Sequence, residues 1–214
     1  VIEIFNDFEQ GSETWRIARS GIPTASMFKA VMASGRGGGD SIGRGKYMRQ
    51  LAGEVLSGVP METYSNGSMK RGQKMEADLR REYAFLMNVE PTRVAFVRNG
   101  QKGCSPDSFI GDNGLLEIKS HAPDILIELI MKDEFPPCHR AQTQGQLWVC
   151  EREFVDIDCG YTGMPAPLIK RAYRDSMYIH KLAQAVDQFN DELAELVEKI
   201  KAYSPSIPAQ ERAA

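Results

Sequence analysis

The chain has 214 residues, of which 42% are hydrophobic and 26% charged, enough apolar material for one sizeable core. Its formal net charge of −3 argues against the strongly basic surface that coats nucleic acid indiscriminately, although local charge matters more than the total. No run approaches the roughly eighteen apolar residues of a membrane helix, and Val1 to Phe5 lacks the charged start and long apolar run of a leader, so a soluble cytoplasmic protein with no membrane partner is expected.

In chain order, residues 13–19 and 24–32 read as short helices, the second opened by Pro23 or Thr24, and residues 42–56 as a third. Gly35 to Gly43, with Arg36 set among glycines, is too flexible for a helix and reads as a mobile loop able to approach a phosphate backbone. No GK[ST] follows it, so hydrolysis of nucleoside triphosphates is unsupported. Arg36, Arg44, Lys46 and Arg49 form one basic cluster, and Lys70, Arg71, Lys74, Arg80 and Arg81 another; each fits an ordinary solvated helix face as well as a contact surface. Ser65 or Ser68 can cap a long helix towards Leu86, on which Glu76, Arg80 and Tyr83 recur at helical spacing.

Residues 93–97 read as a strand. Phe109-Ile110 and Leu115 to Ile118 form a hairpin around Gly111-Asp112-Asn113-Gly114, whose Asn-Gly step tolerates positive φ. Helices over 125–131 and 139–149 follow Pro123 and Pro136-Pro137; on the second, Gln142 and Gln146 share a side, and Leu147 and Trp148 face the sheet. Strands over 154–159 and 168–173 precede an amphipathic helix from Asp175 to about Tyr203, with Ile179, Leu182, Phe189, Leu193, Leu196, Val197 and Ile200 as its apolar stripe. The expected fold class is α/β, a central mixed β-sheet flanked by helices, with residues 1–204 as a single domain and 205–214 as a loose tail.

The hairpin carries the chemistry. Side chains alternate along a strand, so Glu117 and Lys119 share one face while Leu116 and Ile118 enter the apolar layer, and folding back brings Asp107 alongside. Two carboxylates on one face can hold a hard divalent cation, and a neighbouring ammonium can orient an attacking water, a set suited to phosphodiester hydrolysis. The same trio on an ordinary strand is a solvated surface. Here, however, Pro106 precedes Asp107, a carboxylate follows ten residues on and a lysine two further, the PD…ExK pattern of a large nuclease superfamily. Cys104, Cys138, Cys150 and Cys159 form no CxxC pair and the three histidines complete no zinc spacing, so reduced, mostly buried thiols are expected.

Five blocks, in order, resemble the phage lambda exonuclease family of recombination nucleases over most of the chain. They are Trp15 to Ser26 (WRIARSGIPTAS), Arg71 to Glu76 (RGQKME), Cys104 to Asp107 (CSPD), Leu116 to Lys119 (LEIK), and Ala141 to Gln144 (AQTQ) followed by Trp148. The resemblance implies a restriction-endonuclease-like core in which Glu76, Asp107, Glu117 and the carbonyl of Ile118 hold two Mg²⁺ ions, for which Mn²⁺ can substitute. It implies that Lys119 and Gln142 position the attacking water, and that Arg19, Ser26 and Ser105 grip a 5′-phosphate. Arg36 aligns with a DNA-groove arginine and Met69 with an apolar wedge at the terminal base pairs; by itself Met69 also fits a packing residue at a helix start, and Glu76 a surface carboxylate. Arg71 departs from the pattern, standing where the lambda enzyme has an aromatic.

What the resemblance implies for function is metal-dependent 5′-to-3′ exonucleolytic digestion of double-stranded DNA from its ends, releasing 5′-mononucleotides and leaving 3′ overhangs for recombination by strand annealing. A homotrimeric ring, a single-strand-annealing recombinase partner and a phage or prophage origin come with it. The rivals are an endonuclease using the same metal site and a catalytically silent DNA-end-binding scaffold.

Overall fold

A computed structural model describes residues 1–35, 39, 41–61 and 67–205, the side chains of residues 67–71 and 73 excepted. The side chains of Arg36 and Met69, residues 206–214 of the expected tail and the centre of the glycine-rich segment therefore lie outside the described residues, as do Ser65 and the side chain of Ser68, the two serines considered as caps.

Strand β1 (Ile2–Phe5) leads into helix α1 (Glu13–Arg19), whose Ser12 cap accepts the Trp15 N–H, with Glu13 in its first turn and Arg16 and Arg19 in its last. A short 3₁₀ turn (Ala25–Met27) and α2 (Phe28–Val31) replace the single helix expected over 24–32. The reason lies at Thr24: its hydroxyl is engaged with Arg19 and its N–H with the Tyr47 hydroxyl, so it caps nothing. Helix α3 (Ile42–Ser57) starts on a Ser41 cap and stops at Gly58, whose φ of 69° suits glycine. The long α4 (Gly67–Met87) follows.

The strand expected over 93–97 is split into β2 (Pro91–Thr92) and β3 (Phe96–Asn99), because the chain crosses there from one sheet to another. The smaller sheet has the order β1-β3-β4, with β4 at Gly103–Cys104; the larger has the order β2-β5-β6-β7-β8. In the larger, β5 (Ser108–Ile110) and β6 (Gly114–Ser120) form the predicted antiparallel hairpin, turning through Gly111 at φ 51°. After β6 come α5 (Pro123–Lys132), a 3₁₀ turn (Pro137–His139) and α6 (Arg140–Cys150), and the chain returns as β7 (Phe154–Gly160), parallel to β6. Strand β8 (Leu168–Tyr173) closes the edge antiparallel to β7, so the central sheet is mixed, as expected. Helix α7 (Ser176–Lys201) begins on Asp175, which accepts the Tyr178 N–H at 3.0 Å.

Helices flank this sheet. On one face, Leu79 and Tyr83 of α4 pack on Ile110, Leu116 and Ile118; on the other, Leu147 of α6 packs on Leu115 and Val155. Outside α6, Phe28, Tyr47, Leu51, Leu182, Val186 and Phe189 build the largest apolar cluster. Trp148 belongs to this outer layer and not to the sheet: its ring lies 6.0 Å from that of Phe28 and beneath the Lys102 ammonium. Two members of the basic clusters also depart from a solvated face. Arg44 is 6% exposed, donating to the Val31 carbonyl and to Glu192, and Arg80 turns inward to the hairpin. All four cysteines are free; Cys138 is exposed where burial was expected of most.

Candidate active site

Asp107 stands one residue before β5, and its N–H donates to the Leu116 carbonyl at 3.1 Å, which carries the hairpin ladder up to it. Its Oδ2 accepts the Ile118 N–H at 2.5 Å, so the backbone of β6 aims this carboxylate. Glu117 leaves β6 on the opposite face from Ile118 and is 3% exposed, which a carboxylate tolerates only with hydrogen-bond partners. Gln142 Nε2 donates to its Oε1 at 2.6 Å, Gln146 Nε2 donates to its Oε2, and Lys119 Nζ stands 2.5 Å from Oε1. Lys119 Nζ also donates to Gln142 Oε1 at 3.2 Å. Glu117, Lys119 and Gln142 thus close a triangle between β6 and the first turn of α6.

Glu76 comes from α4, where the Arg80 guanidinium one turn on donates to its carboxylate. The same Arg80 Nη2 donates to the Asp107 carbonyl at 3.3 Å, which sets Glu76 beside the hairpin. Burial pushes the Asp107 carboxyl well above the usual carboxylate range, and the negative charges of Glu117 and Glu76 push it further, against the opposing pull of Lys119 and the Ile118 N–H. Burial would by itself lower the Lys119 ammonium, but Glu117 and Asp107 outweigh it and hold it above its ordinary value, so it stays protonated.

Three carboxylates that repel one another form an all-oxygen, anionic donor set, the chemistry a hard divalent cation satisfies. Among the described residues, no three His, Cys, Asp or Glu side chains stand close enough to share a single ion. The carboxylates are instead turned onto protein donors: Glu76 to Arg80, Asp107 to the Ile118 N–H, Glu117 to Gln142, Gln146 and Lys119. The donor type and the excess negative charge fit such a cation, which would take the place of the donors on Asp107 and Glu117.

Next to the carboxylates lies a basic and hydroxylic wall. Arg19, in the last turn of α1, stacks over the Trp15 ring at 4.2 Å, and its Nη2 donates to Thr24 Oγ1 at 3.1 Å. Thr24 Oγ1 lies 3.4 Å from Ser26 Oγ, and Trp15 Nε1 donates to Ser105 Oγ at 2.8 Å. Burial lowers the Arg19 pKa, partly offset by Tyr47 and Glu54, yet a guanidinium remains charged at any ordinary pH. One cavity of about 210 Å³ is lined by Arg19, Ser26, Ser105, Asp107, Glu117 and Gln142, six of the residues singled out in the sequence. Trp15, Thr24 and Gln146 line it too without having been singled out as site residues, although Gln146 stands one helical turn from Gln142. Arg80 was also missed; its spacing from Glu76 was visible, its inward direction was not.

Residues 14–157 match the YqaJ-like viral recombinase domain. Among solved structures, the alkaline exonuclease LHK-Exo from Laribacter hongkongensis is 28% identical with a TM-score of 0.80, covering 89% of this chain and 96% of its own. A second structure of LHK-Exo, in complex with dAMP, is similar at 29% identity with the same coverage. A phage-related exonuclease from Haemophilus somnus shares the fold at TM-score 0.65 and 13% identity, covering 84% of this chain and 96% of its own. No curated protein matches the chain in sequence. With a family match over two thirds of its length and the carboxylate hairpin inside that match, the chain belongs to the YqaJ-like viral recombinase domain family, and its activity class is that of a nuclease.

Proposed function

We propose that the protein is a divalent-cation-dependent 5′-to-3′ exonuclease acting on double-stranded DNA ends, releasing 5′-mononucleotides and leaving 3′ overhangs. The observation that carries this reading is the single cavity in which Arg19, Ser26 and Ser105 stand beside Asp107, Glu117 and Gln142. A terminal 5′-phosphate gripped by the first group would present the next phosphodiester to the second. LHK-Exo holds dAMP, a 5′-mononucleotide, which is the kind of product expected here.

In this reading Glu76, Asp107, Glu117 and the Ile118 carbonyl hold two Mg²⁺ ions, with Mn²⁺ as a substitute. When bound, the ions supply Lewis-acid stabilisation of charge at the scissile phosphate and lower the pKa of water. The protein's own residues do the rest. Lys119, kept protonated by its carboxylate neighbours, donates to the attacking water or to a phosphate oxygen and acts as an orienting group. Gln142 spans Glu117 and Lys119 through its two amide atoms, so it holds both in place without adding charge that competes for the cation. Arg19 recognises the terminal phosphate with a planar fork of donors that a lysine cannot reproduce. Arg36 and Met69 would contact the DNA groove and its terminal base pairs. Residues 1–204 would act as one nuclease unit within a homotrimeric ring, handing its overhangs to a single-strand-annealing recombinase in a phage-infected or lysogenic cytoplasm.

Mg²⁺-dependent digestion of end-labelled linear duplex, compared with covalently closed circles, tests the reading. Stepwise release of 5′-mononucleotides from 5′-phosphorylated ends, with circles left intact, is the expected result. Rapid cutting of circles would make it an endonuclease, and binding of ends without turnover would make it a scaffold.

A further inference from the structure

Arg80 is the charged group of this site that neither the motif nor the reaction above uses. Its side chain is only 12% exposed, and its donors are spread over two elements. Nη2 donates to the Glu76 carboxylate and, at 3.3 Å, to the Asp107 carbonyl; Nε donates to Ser108 Oγ at 2.9 Å. Ser108 is fully buried, and its hydroxyl donates to the same Asp107 carbonyl at 2.6 Å. Helix α4 brings Glu76 and the hairpin brings Asp107, and Arg80 is the side chain that grips both.

An exposed Glu-Arg pair one helical turn apart contributes little and holds neither side chain firmly. This pair differs because the guanidinium is anchored on its far side by the Ser108 hydroxyl and the Asp107 carbonyl, so its direction is set before Glu76 meets it. Helix α4 is an element separate from the sheet, and the guanidinium anchored on the hairpin is what reaches across to Glu76. Arg80 grips it by Oε1.

We propose that Arg80 is a positioning residue that holds Glu76 in register with Asp107, so that a divalent cation meets a carboxylate pair already assembled. The proposal rests on the reading that these carboxylates hold the cation. It differs from a purely structural role in one respect: a staple between α4 and the hairpin affects unfolding, whereas a positioning arginine affects cation affinity in the folded protein.

Mn²⁺ binding to the full chain in the absence of DNA, by titration calorimetry and by the electron paramagnetic resonance of free Mn²⁺, makes the test. Arg80→Gln should weaken binding about tenfold, the scale expected when the hydrogen-bond partner of a metal-ligating carboxylate is lost. Arg80→Lys, which keeps the charge but not the fork, should fall between. Glu76→Gln should weaken binding similarly, and the double variant should bind no worse than Glu76→Gln alone, because the arginine acts through that carboxylate. Raised Mn²⁺ should restore turnover to Arg80→Gln and not to Glu76→Gln. Binding by Arg80→Gln within twofold of the parent, with Glu76→Gln weakened, would overturn the proposal and leave the metal site standing. Parent-like binding by Glu76→Gln and Asp107→Asn would remove the metal site itself, and the proposal with it. Should Arg80→Gln not fold, Ser108→Ala carries the test: it removes one anchor of the guanidinium and should weaken Mn²⁺ about threefold, and no change would be decisive against the idea.

Discussion

Arg19, half-buried, and Asp158, fully buried, are ionisable residues with opposite accounts. Arg19 has its partners and a cavity to serve, and replacing it with Ala removes a charge-assisted contact of about 1.5–3 kcal/mol. The expected outcome is a loss of roughly ten- to a hundredfold in kcat/KM on 5′-phosphorylated ends, with little change on 5′-hydroxyl ends. Equal loss on both would show that the stacking over Trp15, and not phosphate recognition, is what the arginine provides. Asp158 sits on β7 facing α4, fully buried, and among the described residues neither of its oxygens has a hydrogen-bond partner. Burial, with Glu82 adding repulsion, pushes its carboxyl up to about 7. From about pH 4, where the unfolded carboxyl releases its proton, up to pH 7, the folded protein still holds that proton, so stability falls as pH rises through this window and the loss is complete above it. Asp158→Asn should therefore stabilise the protein at pH 8 by on the order of 2–4 kcal/mol, with the gain shrinking towards pH 4. Denaturant unfolding at the two pH values checks this; a gain independent of pH would remove ionisation as its cause.

At the scale of elements, the site depends on α6 lying close enough for Gln142 and Gln146 to reach Glu117 together. Gly145 permits that approach from the other side. A Cβ there would stand 2.4 Å and 2.8 Å from ring atoms of the fully buried Phe28 and 3.3 Å from the Ala25 Cβ. Alanine improves intrinsic helix propensity by about 1 kcal/mol, but overpacking a closed core costs about 1–3 kcal/mol, and Phe28 has no room to withdraw. Gly145→Ala should lower unfolding free energy by about 1–2 kcal/mol in urea, and the displaced helix should lower turnover as well. Unchanged stability would mean that the contact between α6 and α2 is loose. The elements themselves were legible in proportion to their length and period. The hairpin, α3, α5, β8 and α7 carry two- or 3.6-residue patterns with caps and turns at their ends, and they formed close to where those signals lie. Strands β1 and β4, of 4 and 2 residues, are too short to show a period and exist because β3 pairs between them.

For the whole molecule, assembly is the open quantity. Phe85 and Leu86 at the end of α4, Ile125, Ile127 and Met131 on α5, and Met177 at the start of α7 are exposed apolar side chains that a subunit contact could cover. A homotrimer of 23.9 kDa chains predicts about 72 kDa by light scattering behind a sizing column. A species of one chain mass at working concentration would end the ring proposal. No described helix is long and apolar enough to cross a membrane.

What the chain's order of residues determined alone was local: that Asp107, Glu117 and Lys119 would meet on one face of a hairpin, and that Gln142 and Gln146 would share a helix side. Alternation along a strand and periodicity along a helix are properties of a few neighbouring residues, so they survive without any knowledge of packing. Tertiary structure decided which groups those faces would meet. Both glutamines converge on Glu117 from positions 25 and 29 residues away, and Arg80, which reads as one charge in a basic cluster, turns to Asp107 across 27. Such contacts depend on where two elements lie relative to each other, and a charge's direction follows from what is packed around it.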